Sequence, residues 1–193
     1  MSEPPSVANA LTSGNLAAGF VALILAAQGE LAWAAGCVGV AALCDAVDGV
    51  AARFSRSDGE FGCQLDSLAD VVSFGVAPAL VVYFGSLAAL PFVGIGACLA
   101  FVLCGAWRLA RFQVETESRH RFVGLPIPPA AVIVTGGAIL EVPASAMLVV
   151  MVVVSLLMTS RLPVTTFGEI RRLARSDRRR RGEAPVADSE AAG

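Results

Sequence analysis

The chain has 193 residues, 56% of them hydrophobic, with a mean hydropathy of +0.72 and a formal net charge of −2. A water-soluble domain of this size needs more polar surface than such a composition supplies. All 14 basic residues are arginine, and where they fall says more than the net charge does.

Residues 1–10 form a short N-terminal segment with no basic n-region and no small-residue cleavage site, so no cleavable signal peptide is expected. After it the apolar residues fall in long blocks, and about 20 apolar residues let a helix cross a bilayer. Six such helices are predicted, over residues 11–28, 31–54, 61–85, 87–112, 126–140 and 143–161. The expected fold is therefore all-α: a polytopic membrane protein built as a six-transmembrane-helix bundle over residues 11–162. The fifth helix is short, with Pro126, Pro128 and Pro129 in its first turn, where proline is tolerated. Cys37, Cys44, Cys63, Cys98 and Cys104 all lie inside apolar blocks, which reads as packing and not as a disulfide framework. Residues 163–193 form a charged tail, expected to be solvated or to touch lipid headgroups.

Every arginine falls on one side of this layout. Arg53 and Arg56 close the second helix, Arg108, Arg111, Arg119 and Arg121 end or follow the fourth, and Arg161 and the seven arginines between 171 and 181 follow the sixth. The positive-inside rule puts both termini and the longer loops in the cytoplasm of a multi-pass protein of the cell membrane. Trp33 and Trp107 fall near opposite interfaces, as an aromatic belt requires. A basic run beside a membrane is a topology determinant or an anionic-lipid contact, so no nucleic-acid partner is expected. His120, between Arg119 and Arg121 in a polar loop, reads as solvated.

Chemistry concentrates in Asp45-Ala-Val-Asp48-Gly49-Val-Ala-Ala52-Arg53, followed after eight residues by Gly62-Cys-Gln-Leu-Asp66-Ser-Leu-Ala-Asp70. Spacings of three and four put each aspartate pair on one helix face. A short connection makes the two helices an antiparallel hairpin, so the four carboxylates converge near the cytoplasmic surface. Carboxylates in a span cost about 2.5–3.5 kcal/mol each on insertion scales and are functional candidates by default. Arg53 alone cannot offset four of them. Two hard divalent cations sharing oxygen ligands can. Gly49 and Gly62, lacking a Cβ, permit close approach by a bulky ligand or by a neighbouring helix.

The stretch from Asp45 to Asp70 matches D-x2-D-G-x2-A-R-x8-G-x3-D-x3-D, eight defined positions over 26 residues. This is the signature of the CDP-alcohol phosphotransferases, a family the chain resembles over roughly residues 9–167. Further elements resemble one branch of it, the bacterial and archaeal phosphatidylserine synthases. These are Asn9-Ala-Leu-Thr12-Ser-Gly-Asn15-Leu, Asp70-Val-Val-Ser73-Phe-Gly75-Val-Ala-Pro78, Arg108-Leu-Ala-Arg111-Phe112 and Phe122-Val-Gly124-Leu-Pro126-Ile-Pro128, with Ser160-Arg161-Leu-Pro163 and Thr166-Phe167 after the sixth helix. Two positions depart from that branch: Ala8 stands where proline often precedes the asparagine, and Gln113 where asparagine often follows the arginine pair.

The resemblance implies a homodimeric six-helix bundle that transfers a phosphatidyl group from CDP-diacylglycerol to an alcohol, here L-serine, releasing CMP. It implies that Asp45, Asp48, Asp66 and Asp70 hold two divalent ions, Mg²⁺ or Mn²⁺, and that Asp70 is also the general base. Thr12, Asn15, Gly49, Ala52, Arg53 and Gly62 are then donor contacts. Arg108 and Arg111, ending the fourth helix at the depth of the acids, are the acceptor-binding candidates, since arginine matches carboxylate and phosphate geometry. The same arginines would hold glycerol 3-phosphate or inositol phosphate, so the acceptor stays open between these and serine. A transporter with a cation path would place acids near the midplane, often with repeat symmetry, and neither is found. A catalytically silent scaffold is disfavoured because no signature position is lost.

Overall fold

The computed structural model describes residues 7–55, 60–116 and 125–160, all of them in helices and the turns that join helices. Of the N-terminal segment expected over 1–10, residues 1–6 lie outside the described residues and 7–10 form the start of the first helix; the tail 163–193 lies outside them too, as do Arg119, His120 and Arg121. Among the described residues there are six helical rods. They are α1 (Val7–Ala27), α2 (Leu31–Ser55), α3 (residues 60–87), α4 (Pro91–Thr116), α5 (Ile127–Ile139) and α6 (Ala144–Thr159).

Two of the turns are built alike from different residues. At the end of α1, Gly29 takes φ 83°, its N–H reaches the Ala26 carbonyl, and the Glu30 N–H reaches that of Leu25. This satisfies carbonyls the helix leaves open, and glycine is the residue that adopts this conformation without steric cost. At the end of α5 the same pair of bonds runs from Glu141 to Ala138 and from Val142 to Gly137, but the left-handed position is held by Glu141 at φ 53°. Pro143 then blocks continuation and caps α6.

Helix α3 departs from the uniform α-helix expected for it. Regular turns over Glu60–Asp70 and Ala77–Val82 are interrupted by π-helical turns at Val71–Val76 and Tyr83–Leu87. The second interruption corrects a boundary. The fourth helix was expected from residue 87, but Leu87 still belongs to α3, and α4 starts at Pro91. Proline at the first position of a helix loses no hydrogen bond. The Gly94 N–H bonds the Leu90 carbonyl, and a Cβ on Gly94 would lie 2.7 Å from the Leu87 carbonyl oxygen, so the glycine lets α4 leave α3 in a tight turn.

Packing makes α3 the central rod. Of its apolar span 56% is buried, against 28% for α1 and 33% for α4. Helix α1 lies along α2 and α3, α4 lies against α6, and α5 fills the space beside α2, α3 and α6. Phe74, Phe101, Leu87, Ile127, Met147 and Met151 are fully enclosed. On the outside, large apolar side chains such as Phe92, Leu43, Leu156 and Phe20 are exposed. Helices apolar on both faces fit an apolar solvent. By length and composition, Asn9–Ala27, Phe61–Leu87 and Pro91–Gln113 can each cross a bilayer, whereas Leu31–Val47, α5 and α6 are shorter apolar helices.

Candidate active site

Helices α2 and α3 bring Asp45, Asp66 and Asp70 together. One carboxylate oxygen from each lies within 4.8 Å of the others. Asp45 and Asp66 are half-buried, and Asp70 is only 7% exposed. Asp66 and Asp70 share a face of the regular first part of α3, while Asp45 comes from α2, which runs antiparallel to it. Asp48, Gly49, Ala52 and Arg53 follow on the last turns of α2, where the side chains lie outside the described residues.

Three acids this close repel one another unless a cation lies between them. Oxygens on opposite sides of one Mg²⁺ are about 4.2 Å apart, and two shared ions sit about 3.5–4 Å from each other. Three carboxylate oxygens within 4.8 Å of one another are near enough to share hard, oxygen-liganded divalent cations. Among the described residues no histidine or cysteine joins the group, so the donor set favours Mg²⁺ or Mn²⁺ over a thiolate- or imidazole-binding metal.

Helix α1 closes one side. Thr12 is 3% exposed, and Asn15 is fully buried. The Asn15 Nδ2 donates to Asp70 Oδ1 at 3.2 Å. Its Oδ1 is enclosed without a partner. Ser73, in the first π-turn, donates to the Asn15 carbonyl at 3.0 Å. Gly62 faces α1, and a Cβ there would lie 3.2 Å from Asn9 Oδ1, so a helix neighbour makes the close approach that its lack of side chain allows.

Helix α4 closes the other side. Arg108 is half-buried, interacts electrostatically with Asp70, and has an enclosed Nε without a partner. Arg111, three residues on, is exposed and donates from Nη1 to the Thr159 carbonyl at 3.5 Å, at the end of α6. The two arginines expected to act together thus differ: Arg108 turns to the acids and Arg111 to the end of another helix. Gln113 was singled out from the sequence only as a departure. Its Nε2 donates to Ser67 Oγ and to the Cys63 carbonyl, fastening α4 to the face of α3 that carries Asp66 and Asp70. Nothing in the spacing of residues foretells that bond, or the bond from Ser73 to Asn15.

An apolar helical protein with a group of aspartates that could hold a divalent cation, gathered between two of its helices, is the class that fold and site define. The chain belongs to the CDP-alcohol phosphatidyltransferase family, whose sequence pattern matches residues 5–168. It is 38% identical over 128 residues to CDP-diacylglycerol–serine O-phosphatidyltransferase of Helicobacter pylori, covering 65% of this chain and 54% of the relative. The enzyme of the same name from Bacillus subtilis is 44% identical over 84 residues, 44% of this chain and 48% of the relative. The archaetidylserine synthase of Methanothermobacter thermautotrophicus is 38% identical over 154 residues, 77% of this chain and 64% of the relative. The chain thus matches about half to two-thirds of the length of these curated relatives.

Proposed function

We propose that the protein transfers the phosphatidyl group of CDP-diacylglycerol to the hydroxyl of L-serine, releasing CMP and forming phosphatidylserine. The observation that carries this reading is the convergence of Asp45, Asp66 and Asp70 within 4.8 Å, in a chain with the complete aspartate signature. Support for serine comes from the names of the bacterial relatives and from an arginine near the acids, suited to a carboxylate.

Asp45, Asp48 and Asp66 would hold the cations, with Asp70 completing the second site. Bound there, Mg²⁺ or Mn²⁺ neutralises the donor pyrophosphate and the charge that develops on the leaving CMP. Gly49, Ala52, Arg53 and Gly62, with Thr12 from α1, seat the nucleotide. Asp70 takes the proton of the serine hydroxyl. The serine oxygen attacks the phosphorus that bears the diacylglycerol, and the bond from that phosphorus to CMP breaks. Arg108 pairs with the serine carboxylate, and Arg111 assists from the end of α4.

In this reading all six helices span the cell membrane, the acid-bearing end faces the cytoplasm, and the protein works as a homodimer. The one-sided placement of the arginines supports the orientation. Single cysteines at Arg121 and Ser189 should resist impermeant thiol reagents in intact cells, and labelling of either from outside would overturn the layout. Cross-linking in native membranes should trap pairs of chains, and a monomer alone would remove the dimer.

The decisive experiment supplies purified protein with CDP-diacylglycerol and Mg²⁺ or Mn²⁺ and varies the alcohol. Serine should drive CMP release, while glycerol 3-phosphate and inositol phosphate give little. Turnover with a phosphorylated alcohol and none with serine would replace the acceptor and keep the chemistry. Arg108→Lys should raise the serine KM by about tenfold and Arg111→Lys by less, because a point charge does not reproduce a planar fork.

A further inference from the structure

Asn15 is tied to the acid site from both ends of the residue. Its side-chain nitrogen donates to Asp70 Oδ1 at 3.2 Å, and its backbone oxygen accepts the Ser73 hydroxyl at 3.0 Å. Asn15 and Ser73 are both fully buried. One turn further along α1, Gly19 lies directly over Ser73, and a Cβ there would come 2.7 Å from the Ser73 Cα. These contacts gather at the π-helical turn that begins immediately after Asp70. It is the amide nitrogen of Asn15 that faces Asp70, and the amide oxygen is turned away from that bond.

We infer that Asn15 is a positioning residue for Asp70: its amide holds Oδ1 of that carboxylate, so that cation ligation and proton acceptance fall to Oδ2, and the Ser73 bond and the close approach at Gly19 fix its depth. This rests on the catalytic reading of Asp70 above. It gives Asn15 a task on Asp70 in place of the donor contact that the resemblance implies. A side chain already committed to Asp70 has only its enclosed Oδ1 left to offer a nucleotide.

The test uses the full chain in detergent, with CDP-diacylglycerol, Mn²⁺ and serine, and compares Asn15→Leu and Ser73→Ala with the unaltered protein. Leucine is close to asparagine in size and lacks the donor. Partners that orient metal ligands are typically worth about 10–100-fold in activity or metal affinity. Asn15→Leu should therefore lower kcat by that factor and leave the KM for CDP-diacylglycerol within about threefold. Mn²⁺ titration followed by electron paramagnetic resonance should show weaker binding in the same variant. Ser73→Ala should lower kcat in the same sense by a smaller factor. A raised donor KM at unchanged kcat would make Asn15 a donor contact and overturn the inference. Normal kcat per folded molecule with a lowered melting temperature would reduce Asn15 to packing and overturn it equally. If Asn15→Leu does not fold, Ser73→Ala decides, and an unchanged kcat there overturns the inference. Failure of the unaltered protein to release CMP with any alcohol would sink the proposed function instead, while weakened Mn²⁺ binding in Asn15→Leu would still report the link to Asp70.

Discussion

Helix α3 leaves regular geometry twice, and the two places are put to different use. At Val71–Val76 the π-turn is enclosed: Ser73, Phe74 and Gly75 are buried, and the one hydroxyl is partnered across to α1. At Tyr83–Leu87 only Leu87 is buried, Tyr83 and Phe84 stack edge to face at 5.4 Å, and the Ser86 hydroxyl is enclosed without a partner. The first sits directly after Asp70 and turns a serine toward the helix that carries Asn15. The second sits where the rod runs out and passes into the turn before Pro91. An inserted residue in a helix is thus not by itself a mark of function, although such turns are frequent at functional sites. What separates the two is whether the freed polar groups are spent on a neighbour.

The largest break in that contrast comes from the acids beside the first π-turn. Asp66→Asn should lower the rate of CMP release by about 10³-fold or more, and chelation should abolish it, since a metal clamp supplies several kcal/mol to phosphoryl-type transfer. Near-normal turnover of the variant in metal-free buffer would remove the cation site from the reaction.

Deleting one residue from each π-turn sharpens the comparison directly. Removing Val72 closes the turn after Asp70 and rotates the acid face relative to the rest of α3, so activity should fall by about 10²-fold, as for other small misplacements of catalytic groups. Removing Phe84 should change the melting temperature in detergent and leave turnover per folded molecule within about threefold. Equal losses in the two deletions would mean that the first π-turn has no special tie to the site.

A smaller effect is expected one layer away. Gly19→Ala forces a methyl group against the Ser73 backbone, and overpacking of this kind costs about 1–3 kcal/mol. Gly36→Ala on α2, where nothing lies within 4 Å of a new Cβ, should stay within about 0.5 kcal/mol. Thermal unfolding of both in the same detergent distinguishes them. At one position a gain is expected. Glu141→Gly relieves a left-handed conformation that costs a side-chain-bearing residue roughly 1–2 kcal/mol, and the melting temperature should rise accordingly.

The sequence made the six rods readable because each is a long apolar block ended by glycine, proline or charge. It also made Asp45, Asp66 and Asp70 readable, because acids in apolar helices stand out and their spacings place them on common faces. The π-turns were not readable: Val71–Val76 is apolar on every side but for Ser73, so an inserted residue leaves no break in the pattern. For the same reason the start of α4 was misplaced, since Leu87 and Leu90 read alike until the Leu90 N–H is seen bonded to the Leu87 carbonyl. The different roles of Arg108 and Arg111 depend on which helix lies opposite, and no local spacing carries that information.

Helix α5 has 13 residues and so runs about 20 Å, against a hydrocarbon core about 30 Å thick. In a membrane it cannot match its surroundings by tilting, which only shortens its reach. If all six helices span, as proposed, the lipid beside it would thin, or headgroups and water would sink toward it, at a cost of fractions of a kcal/mol per ångström of mismatch. Its first residue, Ile127, is buried at the end of the protein that carries Arg108: a Cβ on Gly105, three residues before that arginine, would lie 3.5 Å from the Ile127 side chain. In the proposed reaction a lipid-linked nucleotide and a water-soluble amino acid would meet at a single depth. A short rod beside the site would then shorten the way from the aqueous boundary to the carboxylates.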